Sequence, residues 1–167
     1  VSYLFGEKEK FIVQEVDKRP RKWVKSLRAT FGAKEIPPAA GPKYFVSAYS
    51  FEFMKPRAKK SSIGFGSDFF YNTSLTQLMK NDSSSTLTRF NNLRVGVSGI
   101  YAFDFGKISF AIEIGTYVFS RYKKQGFLYS RFFTKFNASD HLFFTVGLKT
   151  HYAVADFPEV GIGYNFN

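Results

Sequence analysis

Two side chains near the carboxyl end offer the most specific chemistry in the sequence. His151 and Glu159 lie eight positions apart, with Asp156 and Pro158 between them. An imidazole held by a carboxylate keeps one orientation and one tautomer, which is what a histidine general base requires. The run before His151 alternates. Leu142, Phe144, Val146 and Leu148 are apolar, whereas Thr145, Gly147, Lys149 and then His151 share the opposite parity. In the final run Val160, Ile162, Tyr164 and Phe166 are the apolar set, and Glu159 belongs to the other. If these runs form a hairpin, His151 and Glu159 are expected to meet near its loop end. Such a pair serves either as an oriented base or as a hydrogen-bonded contact pinning the hairpin, and the residues alone leave both open. The second histidine, His141, follows Asn137-Ala-Ser-Asp140 and reads as a turn or surface residue.

The elements that must carry this pair show a period of two from Trp23 onward, the repeat of strands with one apolar face. Leu27, Ala29 and Phe31 oppose Ser26, Arg28 and Thr30. Ile63, Phe65, Phe69 and Tyr71 oppose Ser62, Gly64, Gly66 and Asp68. Leu93, Val95, Val97, Tyr101, Phe103 and Phe105 oppose Arg94, Gly96, Ser98, Ala102 and Asp104. Ile108, Phe110, Ile112, Ile114 and Val118 oppose Ser109, Ala111, Glu113 and Gly115. Counting all such runs gives roughly eight strands of about ten residues, enough to cross a bilayer at a tilt. The links around residues 34–43, 72–86, 121–126 and 153–158 are mostly longer or richer in Gly, Pro and polar residues, and the intervening ones are short turns, Asp104-Phe-Gly-Lys107 among them. Long loops at one end and short turns at the other are the pattern of an outer-membrane barrel.

The second face sharpens this expectation. It is mostly Gly, Ser, Thr and Ala with occasional charges, which suits a crowded, hydrogen-bonded barrel interior. Residues 23–167 are therefore expected to form an all-β, eight-stranded antiparallel up-and-down transmembrane barrel. Residues 1–22, charged and broken by Pro20, are expected to be an extension outside it that offers a contact to other outer-membrane proteins. A soluble barrel holding an apolar ligand is the competing architecture.

Composition excludes several other classes. The 167 residues include 22 Phe, 10 Tyr and one Trp, too many aromatics for a disordered chain. No apolar run is long enough for a membrane-spanning helix. Without cysteine there is no disulfide framework and no thiolate zinc site. No metal or cofactor motif is visible, since Gly64-Phe-Gly66 lies within a strand and lacks the lysine and helix of a phosphate loop. The formal charge is +11, but the cations are scattered and the aromatics do not interleave with them, so a nucleic-acid partner is not indicated.

The segment Leu148-Lys-Thr-His-Tyr-Ala-Val-Ala-Asp-Phe-Pro-Glu-Val-Gly-Ile-Gly-Tyr-Asn-Phe166 resembles the final hairpin of the lipid A 3-O-deacylase (PagL-like) family, in particular its Bacteroidetes-type branch of acyloxyacyl hydrolases. Phe31-Gly-Ala-Lys-Glu-Ile36, Gly64-Phe-Gly-Ser-Asp-Phe-Phe-Tyr71 and Gly115-Thr-Tyr-Val-Phe119 resemble the same branch. The resemblance implies an eight-stranded barrel in the bacterial outer membrane. Active members remove an ester-linked acyl chain of lipid A through His-x-Ser-Asn and a glutamate on the next strand. Here His151 matches the histidine and Glu159 is the candidate glutamate, but Ala153 stands at the serine and Val154 at the asparagine. A methyl group cannot attack an ester, so the resemblance implies a degenerate triad. Lys34, Lys43, Arg121, Lys123 and Lys124 fall on or beside the longer links and are expected either to meet lipopolysaccharide phosphates or to be solvated loop charges. The expected protein is thus a non-catalytic barrel that contacts lipopolysaccharide or serves as a subunit of an outer-membrane complex. The alternative is an esterase assisted by His151 and Glu159.

Overall fold

A computed structural model describes residues 22–36, 41–81, 90–122, 124–151 and 154–166. The strands are β1 (Val24–Glu35), β2 (Lys43–Ala58), β3 (Ser61–Asn72), β4 (Leu93–Phe105), β5 (Ile108–Ser120), β6 (Leu128–Asn137), β7 (Leu142–His151) and β8 (Val154–Phe166). Each pairs antiparallel with the next, and β8 pairs with β1 to close the barrel. Residues 1–21 lie outside the described part, so the expected role of the amino-terminal extension does too.

The sequence alternation becomes an inside and an outside. Phe65, Phe110, Ile114, Val146 and Val160 point outward, with Ile114 60% and Val146 64% exposed. An apolar wall of this extent belongs in lipid rather than water. The closed interior is polar and filled. Arg28 Nε and Nη2 donate to Glu52 at 2.7 Å and Glu113 at 2.8 Å. Arg131 donates to Glu159 at 2.9 Å, to Asp68 at 3.0 Å and to Thr30 at 3.1 Å. Asp68 also accepts from Ser50 at 2.5 Å, Ser98 at 3.0 Å and Tyr129 at 2.6 Å. This network ties every strand except β7 across the lumen, which is a packed ionic core and not a channel. Tyr129 fits because two neighbouring strands carry glycine. A Cβ at Gly96 or Gly115 would fall within 2.6 Å or 2.3 Å of the tyrosine ring or its hydroxyl.

The two ends differ as expected, with two departures. Lys59-Lys60, Gly106-Lys107 and residues 138–141 make the short turns, and Gly106 adopts φ +65°, a conformation that favours glycine. The link from β3 to β4 contains a helix, α1 (Ser74–Asn81), that the strand pattern did not indicate. Its Leu75 and Met79 are buried at the loop end of the barrel. The seventh link is shorter than expected: residues 154–158 already belong to β8, and only 152–153 separate it from β7. Pro158 is accommodated because the β1–β8 ladder stops at Glu159 and a β-bulge lies two residues away at Asp156, so no ladder bond is lost.

Replacing Arg131 with Met would leave Asp68, Glu113 and Glu159 without their shared cation. The expected loss is about 3–5 kcal/mol, read from guanidinium unfolding of vesicle-refolded barrel followed by Trp23 fluorescence. A loss below about 1 kcal/mol, the worth of a surface pair, would show that the network does not hold the barrel.

Candidate functional site

The chemistry-bearing residues gather inside the loop end of the barrel. His151 is the last residue of β7 and keeps the inward parity of Thr145 and Lys149. Its carboxylate partner is set by an irregularity in the β7–β8 ladder. Lys149 pairs with Phe157 and Thr150 with Ala155, which leaves Asp156 as the extra residue of a bulge. Bulges re-aim side chains, and this one turns Asp156 inward, where its Oδ2 lies 3.0 Å from His151 Nδ1. The expected pairing of His151 with Glu159 is therefore corrected. The register places Glu159 opposite Gly147, deeper in the barrel, where it accepts from Thr30 and Arg131.

Asp156 is the hub of a small charge cluster. Lys149 Nζ reaches its Oδ2 at 3.1 Å, and Lys34 from β1 pairs with its Oδ1. Among the described residues the other imidazole nitrogen faces three groups that can donate. His151 Nε2 lies 2.9 Å from the Tyr117 hydroxyl, 3.3 Å from Lys149 Nζ and 3.4 Å from Arg94 Nη1. With Nδ1–H directed at Asp156, Nε2 carries the lone pair, and these three groups compete to donate to it. Tyr117 also stacks on the imidazole, with centroids 5.8 Å apart and planes inclined by 29°. Tyr117 keeps the inward parity of Glu113 and Gly115, and a second bulge follows it: Val95 pairs with Phe119 and Gly96 with Tyr117, so Val118 is the extra residue on β5.

Beside the cluster opens a cleft of about 590 Å³ whose lining includes Ile36, Leu78, Val154, Lys34, Lys124, His151 and Asp156. Leu78 comes from α1, so the helix that the strand pattern did not foresee supplies part of an apolar wall. Tyr117 lines an adjoining cleft of about 400 Å³ with Val118, Ser120, Gly126 and Phe127, and Gly126 is common to both. The arrangement offers an apolar surface next to ammonium groups, suited to an amphiphile with an anionic head.

The expected phosphate contacts divide. Lys34 is buried in its pair with Asp156 and does not project from a loop. Lys43, Arg121 and Lys124 are exposed at the loop end. Lys123 and Ala153 lie outside the described residues. His141 takes a structural role, stacking on Tyr164 with centroids 5.4 Å apart. Among the described residues no cluster of His and carboxylates is fit to hold a metal ion. Arg94 and Tyr117 were not marked as site residues at the level of sequence, because they come from β4 and β5 and meet His151 only across the lumen.

Comparison with known proteins follows the same outline. A family model described as acyloxyacyl hydrolase, C-terminal domain (PagL_C), matches residues 23–167. A solved structure from the de novo design of transmembrane β-barrels is similar in fold, with a TM-score of 0.50 and 9% identity over 89% of this chain and 98% of that one. No curated protein matches.

Substituting Asp156 with Asn is expected to shift the ring ¹⁵N resonances of His151, because the carboxylate that fixes its tautomer is removed. Glu159→Gln should leave those resonances in place. NMR of detergent-solubilised protein labelled at histidine checks both, and the reverse pattern would restore Glu159 as the partner.

Proposed function

The chain belongs to the PagL-like acyloxyacyl hydrolase family, and from that premise we propose that it is an outer-membrane barrel that contacts lipopolysaccharide without hydrolysing it. The observation that carries this reading is the environment of His151 Nε2. In a serine-type acyl hydrolase this nitrogen takes the proton of an aliphatic hydroxyl that attacks the ester. Here it faces a phenol, an ammonium and a guanidinium, and the residue two positions after His151 is Ala153. Tyr117 does offer a hydroxyl at hydrogen-bond distance, but it is a phenol that also stacks on the imidazole and not the aliphatic alcohol of a serine.

Contact with the lipid is supported separately. The cleft joins an apolar wall of Ile36, Leu78 and Val154 to Lys34 and Lys124, and Lys43 and Arg121 are exposed at the same end. Lipopolysaccharide supplies both acyl chains and phosphates, and ammonium and guanidinium groups bind phosphate through charge-assisted hydrogen bonds. In this reading His151 and Asp156 are parts of the cleft wall. Residues 1–22 are the proposed contact to other proteins of an outer-membrane complex.

Mass spectrometry of lipid A from cells with and without the protein tests the reading. The expected outcome is an unchanged acylation pattern, with His151→Ala equally silent. Loss of one acyl chain that depends on His151 would overturn it and establish an esterase. Capture of lipopolysaccharide by the purified barrel is expected to weaken in the double variant Lys43→Gln, Lys124→Gln.

A further inference from the structure

The opposite end of the barrel carries a feature that lipopolysaccharide contact does not use. Its short turns and the adjoining strand ends present Lys25, Lys55, Arg57, Lys59, Lys60 and Lys107, all exposed except the half-buried Lys55. Among the described residues at this end, Asp140 is the fully exposed carboxylate. Asp104 turns inward and accepts from Ser62 at 2.6 Å and Ser109 at 2.8 Å, so it does not offset the turn charges.

These cations stand on an aromatic girdle. Trp23 packs edge-on against Phe65 at 5.7 Å, and Phe53 stacks on Phe65 at 5.2 Å. Farther round, Phe105 meets Phe110 at 6.1 Å, and Tyr164 meets Phe166 at 5.1 Å. Aromatic belts of this kind mark the boundary between hydrocarbon and headgroups. Two of the ammonium groups are held at that level by ring faces: Lys55 Nζ lies 5.7 Å from the Trp23 centroid, and Lys60 Nζ lies 5.9 Å from that of Phe105. Lys25 pairs across the ladders with Phe53 and Phe166, and so lies within the girdle itself. A cation resting on a ring keeps its remaining N–H donors for another acceptor. At headgroup depth the abundant acceptor is a lipid phosphodiester.

We infer that this basic collar binds anionic phospholipid headgroups in the leaflet that meets the short turns. The occupant follows from charge complementarity: a collar with a large surplus of cations favours a lipid with net negative charge over a zwitterionic one. The lipid's acyl chains would lie along the girdle, below the ammonium groups that hold its phosphate.

The test uses the full chain reconstituted in phosphatidylcholine vesicles containing trace spin-labelled phosphatidylglycerol or phosphatidylcholine. The fraction of each label immobilised at the protein gives its relative association constant. Wild type is expected to prefer phosphatidylglycerol several-fold, with the preference falling as salt rises. The double variant Lys55→Gln, Lys60→Gln is expected to bring the preference close to one, while Lys80→Gln, exposed on α1 at the loop end, leaves it unchanged. Heat-modifiable gel mobility confirms that each variant is folded. Equal association of the two lipids with wild type, or a preference that survives the double substitution, would overturn the inference.

Discussion

A barrel whose outer wall is apolar must bury its polar side chains in its own lumen, and the structure depends on how those charges neutralise one another. A conventional core would tolerate small misfits at the cost of cavities. Here the interior ions are fully buried, and an ion without a partner costs several kcal/mol. Arg28 and Arg131 meet that requirement by standing between carboxylates from different strands, so each guanidinium joins strands across the lumen. Backbone hydrogen bonds hold neighbours together, whereas this network joins strands that are not neighbours. It also commits Glu159 to the fold, which is why that residue is not available to His151.

The loop-end cluster is a second ionic group, divided from the first by register. Without the bulge, Asp156 would share the outward parity of Val154 and Pro158 and face lipid. With it, the carboxylate turns inward and meets Lys34, Lys149 and His151. The bulge at Val118 marks the β5 side of the same site. The bulge at Asp156 is therefore the departure from ideal pairing that defines the site, in keeping with the occurrence of bulges at barrel rims.

Much of the fold was legible because a period of two is a long-range signal repeated over eight strands. The inward residues of β1, β3, β4 and β5 were readable, since alternation needs no knowledge of which strand pairs with which, whereas β2, with Ser50 and Glu52, alternates less cleanly and was not legible. The His151–Glu159 pairing failed for the complementary reason. It required a register, and one extra residue in β8 changes which carboxylate reaches the imidazole. Residues 154–158 read as a loop because proline normally ends a strand, a rule suspended beside a bulge and beyond the last β1–β8 pair. Helix α1 had a signal in Leu75, Leu78 and Met79, spaced three and four apart, but Ser and Asn residues around it drew that stretch toward a loop. Arg94 and Tyr117 had no local signal, for their role exists only once β4 and β5 stand across the lumen from β7.

These points bear on how a retained histidine–carboxylate pair should be interpreted. In a hydrolase such a pair orients a base toward a nucleophile. In this barrel Asp156 is also the carboxylate that offsets Lys34 and Lys149, both buried. Removing it would strand two ammonium groups, and removing His151 would leave Asp156 and the Tyr117 hydroxyl without a shared partner. The pair therefore has a structural reason to persist whether or not an ester is ever cleaved. Its presence alone does not argue for catalysis, and the proposed reading rests instead on what Nε2 faces. In the family reading that should be a serine hydroxyl open to substrate. Among the described residues here it is the phenol of Tyr117, which also stacks on the imidazole.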